Sequence, residues 1–93
     1  MIVGFRHKGL RDLFDRDSQA GVRPDLADRC RARLAAIHAA RRIEDLAVPG
    51  WRLHRLQGEP PRWSLTVNGP WRITFAWDED GKNALLIDLE QYH

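Results

Sequence analysis

Ninety-three residues, 43% hydrophobic and 30% charged, suffice for one small core, so residues 1–93 read as a single folded domain and not as a disordered tail. No apolar run reaches membrane-span length, the opening MIVGFRHKGL lacks the apolar core of a signal peptide, and the lone Cys30 excludes an internal disulfide. The expected location is therefore cytoplasmic, without a membrane partner.

The net charge is +2, and thirteen of the fifteen basic residues are Arg. Arginine presents a planar fork of donors suited to phosphate, although a GC-rich coding bias produces the same count. Residues 1–47 hold ten basic and seven acidic side chains, against five and six in residues 48–93.

In chain order, Ile2–His7 reads as a short strand. From Lys8 to about Ala20 the pattern is helical, with Leu10, Leu13 and Phe14 on one face and Gly21 as the stop. Pro24 suits the first turn of a second helix, with Asp25 and Asp28 at its positive end. Leu26, Ala27, Cys30, Leu34 and Ile37 form its apolar stripe, and the helix is predicted to run to about Ala40. RIEDLA adds one short turn before Pro49-Gly50.

After Pro49 the pattern is sheet. WRLHRL, RWSLTVNG, PWRITFAW and ALLIDL are four strands, with Asn68-Gly69 as a hairpin turn and DEDGKN as another. The prediction is an α+β domain: a short first strand, two helices, then a four-strand antiparallel meander with the helices on one face.

Alternation in PWRITFAW places Trp71, Ile73 and Phe75 towards the helices and Arg72 on the opposite face. His54, next to Leu53, falls on that open face too, and Tyr92 and His93 follow the last strand. Singly, each reads as an ordinary surface residue. Together, one Arg, two His and one Tyr fit the cleavage of RNA by its own 2′-hydroxyl. That reaction needs a group to take the hydroxyl proton, a group to protonate the departing 5′-oxygen, and a cation for the phosphorane charge. It needs no metal or other cofactor, and no HExxH, CxxC, P-loop or GxSxG motif is present.

The order of elements and several motifs resemble the HigB-type (killer protein) branch of the RelE/ParE toxin superfamily. The motifs are FRHKGL, Leu53-His54-Arg55-Leu56-Gln57-Gly58-Glu59, Trp71-Arg72-Ile73-Thr74-Phe75, and Tyr92-His93. The resemblance spans essentially the whole chain. It implies a RelE-like, microbial-ribonuclease-like fold and a toxin that enters the ribosomal A site and cuts translated mRNA. It also implies neutralisation by a helix-turn-helix antitoxin through which the complex binds operator DNA.

By position, His54, Arg72, Tyr92 and His93 match residues that this family uses at its active site. Two positions depart: the family's HPLKGD has Lys where this chain has Gln57, and its DYH has an acid where this chain has Gln91. Each change removes a charge.

Three readings follow. In the first, the chain is a ribosome-dependent mRNA endonuclease. His54 and His93 move protons, Arg72 clamps phosphate, and Tyr92 stacks on a base or moves a proton. Arg29, Arg31, Arg33, Arg41 and Arg42 on the helical half, with Arg55 and Gln57, touch RNA or ribosome; for the helical arginines a plain solvated face is the competing expectation. In the second, the two Gln mark a weakened relative that binds ribosome or antitoxin without cutting. In the third, the chain is a ParE-like gyrase inhibitor, which has no need of the His54, Arg72, Tyr92 and His93 set.

Overall fold

The computed structural model describes residues 1–91. Helix α1 spans Lys8–Arg16 and helix α2 spans Pro24–Ala39, followed by a 3-10 turn at Ile43–Leu46. Strands β1 (His54–Leu56), β2 (Arg62–Asn68), β3 (Trp71–Asp78) and β4 (Asn83–Gln91) make one antiparallel sheet in the order β1-β2-β3-β4. This is the α+β meander that the sequence pattern predicts.

The helices seal the inner face of the sheet. Leu10 and Leu13 of α1 and Leu26, Cys30, Leu34 and Ile37 of α2 form one core with Leu65, Val67, Ile73, Phe75, Ala84 and Ile87 from the strands. All four tryptophans are half-buried and pack against this core. Burial pushes the Cys30 thiol up to about 11, so it stays protonated at neutral pH.

Several local expectations shift, each for a physical reason. Helix α1 stops at Arg16 because Asp17 takes the left-handed conformation (φ 56°) and its amide N–H donates to the Asp12 and Leu13 carbonyls. Gly21 is not the stop. It packs flat against Gly9, where a Cβ would lie 2.7 Å from the Gly9 Cα, and a Cβ on Gly9 would collide with the Gly21 carbonyl. His7 caps α1 by accepting the Leu10 amide N–H on Nδ1 at 3.0 Å.

The N-terminal segment makes two isolated parallel bridges, Ile2 to Ala84 and Phe5 to Ile87, in place of a strand. The reason lies in β4, which bulges where Leu86 adopts φ 57°. The bulge lets Ala84 and Ile87, three residues apart, both face the core. It also interrupts the ladder that residues 2–6 would otherwise extend.

The strand expected from Trp51 is shortened to His54–Leu56 because Arg52 turns to φ 52°; Trp51 is held separately, its carbonyl accepting the Thr66 N–H at 2.8 Å. The β2–β3 hairpin turns one residue later than expected. Asn68 pairs with Trp71, which leaves Gly69-Pro70 as the loop, and Gly69 supplies the positive φ of 55°.

Candidate active site

The strand register builds the outer face of the sheet row by row. Nearest the Gly69-Pro70 turn, Thr66, Arg72 and Glu90 lie side by side. In the next row stand His54, Ser64, Thr74 and Asp88, and beyond it Leu56, Arg62 and Ala76. Directly paired residues of an antiparallel sheet share a face, so these rows all point away from the helices.

A cleft of about 770 Å³ opens at the turn end of this face, with Arg52, His54, Ser64, Thr66, Trp71 and Arg72 among its lining residues. His54 and Arg72 therefore share one cleft although they come from β1 and β3, with β2 between them. His54 is exposed and Arg72 half-buried. The face is less bare than alternation alone implies: Ser64 and Thr74 are buried on it. Gln91, the register partner of the cleft residue Trp71, is the last described residue. Tyr92 and His93 lie outside the described residues.

The back of the cleft is braced by α2. Arg33 donates through Nε to the Thr66 carbonyl at 2.7 Å and through Nη1 to the Arg29 carbonyl at 3.0 Å. Its guanidinium also stacks 4.8 Å from the Trp51 ring centroid. Arg29 donates to the Val67 carbonyl at 3.2 Å. These bonds fix the end of β2, and with it Thr66 in the cleft wall. Burial, helped by the nearby Arg29 charge, lowers the Arg33 pKa.

The arginines predicted to touch RNA or ribosome stand in different surroundings, with Arg29, Arg41 and Arg42 exposed and Arg33 buried. Arg33 is 7% exposed and buried against β2, so its expected place on a solvated or RNA-touching face is corrected. Arg31 pairs with Asp17 and Asp28, each at 2.7 Å. Arg41 and Arg42 are exposed, with their backbone amides capping the 3-10 turn through Asp45; those two amides hold the Asp45 carboxyl below its ordinary pKa.

Arg55 pairs with Trp63 and so faces away from His54, and Gln57 is exposed just beyond β1. Among the described residues no group of three or more His, Cys, Asp or Glu side chains is placed to hold a metal ion.

Sequence reasoning passed over Arg52 and Arg62, and it set Glu90 aside as a stand-in for the acid missing at Gln91, because alternation turns adjacent residues to opposite faces. The signal for Arg62 was present, because it continues the polar alternation Arg62, Ser64, Thr66 in RWSLTVNG. The register of β4 decides Glu90, and the backbone turn at residue 52 decides Arg52.

Comparison with known proteins matches residues 3–93 to the family described as the RelE-like toxin of type II toxin-antitoxin system HigB. The chain belongs to the HigB-like toxin family. It is 39% identical over 94 residues to the Endoribonuclease HigB of Proteus vulgaris, an alignment covering 100% of both chains. A type II HigB-like toxin implies an antitoxin partner. Within this HigB-like chain, FRHKGL is an architectural motif, since His7 caps α1 and Gly9 admits Gly21. The motifs around His54 and Arg72 build the cleft. Among the described residues no helix is long and apolar enough to cross a membrane.

Proposed function

We propose that this HigB-like toxin is an endoribonuclease that cuts translated mRNA at the ribosomal A site by metal-independent acid–base chemistry. The observation that carries the reading is the cleft shared by His54 and Arg72. An imidazole and a guanidinium, brought together from separate strands on the polar side of the sheet, are two of the three groups that the reaction needs. The full-length relative named an endoribonuclease supports the same activity.

In this reading the 2′-hydroxyl loses its proton to one imidazole and its oxygen attacks the adjacent phosphorus. The phosphorus–5′-oxygen bond breaks, the departing oxygen takes a proton from a second acid, and a 2′,3′-cyclic phosphate remains. Arg72 balances the charge that grows on the phosphorane oxygens. His54 is one proton-transfer group. Tyr92 and His93 supply the rest, with His93 moving a proton and Tyr92 stacking on a base or moving one. The family match, which extends to residue 93, supports this. The partners are the ribosome, its mRNA and a helix-turn-helix antitoxin through which the complex binds operator DNA. The chain acts as one domain in the cytoplasm.

The test incubates the untagged protein with bacterial ribosomes translating a defined mRNA and maps new 5′ ends by primer extension. Cuts at the A-site codon that require ribosomes and disappear in His93→Ala and Arg72→Ala are expected. Intact mRNA with retained ribosome binding would instead assign the chain as a non-cleaving relative, with Gln57 and Gln91 as the lost charges. Inhibition of plasmid supercoiling would point to gyrase.

A further inference from the structure

A charged pair lies across the outer face beside the cleft, and the chemistry above makes no use of it. Arg62 stands opposite Ala76, two rows from Arg72. Each row advances two residues, about 7 Å along a strand. The Arg62 side chain leaves its own row. Its Nη1 lies 3.4 Å from the hydroxyl of Thr74 in the next row and 3.4 Å from Oε1 of Glu90, the register partner of Arg72. The guanidinium is thus drawn diagonally over the sheet, across the buried Thr74, towards the row that carries Arg72.

Two features mark this pair as more than a surface tie. Its members remain 27% and 31% exposed, so an incoming anion can reach them. At 3.4 Å the contact is loose, since charge-assisted N–H···O bonds close to about 2.7–2.9 Å. A loose, partly exposed ion pair contributes little stability, yet it holds a planar five-donor cation in a fixed place. Single-stranded RNA with one phosphate at Arg72 carries its next phosphates along the same face, and a phosphodiester can engage the fork through both of its anionic oxygens, where Glu90 engages it through Oε1 at 3.4 Å.

We propose that Arg62 is a second phosphate-binding residue of this site, taking a phosphodiester that flanks the one at Arg72. Glu90 is the resting partner of the Arg62 guanidinium, an anion that RNA displaces. The inference deepens the ribonuclease reading and rests on it for the identity of the ligand.

The test uses a short single-stranded RNA made uncleavable by 2′-O-methyl groups. Its affinity is followed by fluorescence anisotropy across a salt series, alongside the thermal midpoint of each protein. For Arg62→Gln the expected result is a loss of about 0.7 from the slope of log affinity against log salt, the share of one phosphate on a single strand. Affinity falls about 5- to 10-fold at low salt, as for one charge-assisted contact. Arg62→Lys restores most of the slope. Glu90→Gln keeps the full slope and binds at least as tightly as the parent protein.

An unchanged slope in Arg62→Gln overturns the proposal. So does a Glu90→Gln variant that weakens binding as much as Arg62→Gln, because the pair would then be a structural tie. Absence of salt-dependent RNA binding by the parent protein also overturns it. Failure of the ribonuclease reading is seen separately: the parent protein leaves ribosome-bound mRNA intact in the primer-extension assay, while Arg62-dependent binding of the uncleavable RNA persists.

Discussion

The arginines of α2 and those of the outer sheet face are the same side chain in different surroundings. On α2, Arg33 and Arg29 donate to the carbonyls of Thr66 and Val67, and Arg31 pairs with Asp17 and Asp28. Their charge is consumed by the protein itself, two of them on carbonyls at the end of β2. On the sheet, Arg72 stands in a cleft wall and Arg62 sits loosely beside a carboxylate, where an outside anion can compete. Arg33, buried against β2, therefore adds nothing to an RNA-facing surface, although it counts towards the basic excess of the first half. Count and net charge say little; what each guanidinium already touches says more.

This contrast breaks most sharply at Arg72. Arg72→Ala is expected to lower ribosome-dependent cleavage by about 100- to 1,000-fold, the usual loss for a group that balances transition-state charge. Equal cleavage by the variant would remove Arg72 from the chemistry.

The helix layer responds in stability instead. Gly9→Ala forces a methyl into the Gly21 carbonyl and is expected to cost about 2–3 kcal/mol through overpacking, read as a lower urea midpoint at unchanged slope. Arg33→Ala removes charge-assisted bonds to the Thr66 and Arg29 carbonyls, worth about 1.5–3 kcal/mol. Cleavage per folded molecule should fall far less than in Arg72→Ala; a loss as large as that of Arg72→Ala would place Arg33 in contact with RNA. The smallest effect belongs to Arg31→Ala. Its partners are exposed carboxylates, so the urea midpoint should barely move, and any shift should shrink further at high salt.

Much of the site's framework was legible because side-chain alternation is a local property. RWSLTVNG and PWRITFAW carry a strict period of two, which suffices to turn Leu65, Ile73 and Phe75 inward and Thr66 and Arg72 outward. The stripe Leu26, Cys30, Leu34, Ile37 fixed the buried side of α2 in the same way. ALLIDL resisted that reading. Its buried residues Ala84 and Ile87 are three apart, and only the bulge at Leu86 reconciles them with a strand.

By itself the sequence determined the layers of this protein: two amphipathic helices, four strands, and a polar sheet face that includes His54 and Arg72. Periodicity and turn chemistry act over a few residues, so one chain encodes them directly. Tertiary structure alone decided which charges are spent. Arg33 lies one turn from Arg29 on a helix that looks evenly basic, yet it is buried because the Thr66 carbonyl and the Trp51 ring meet it from residues 33 and 18 positions further along the chain. Glu90 joins Arg72 and Arg62 because the β4 register brings it there. Whether an arginine braces the fold or meets a ligand depends on acceptors supplied by distant segments, and those are set when the sheet and helices pack.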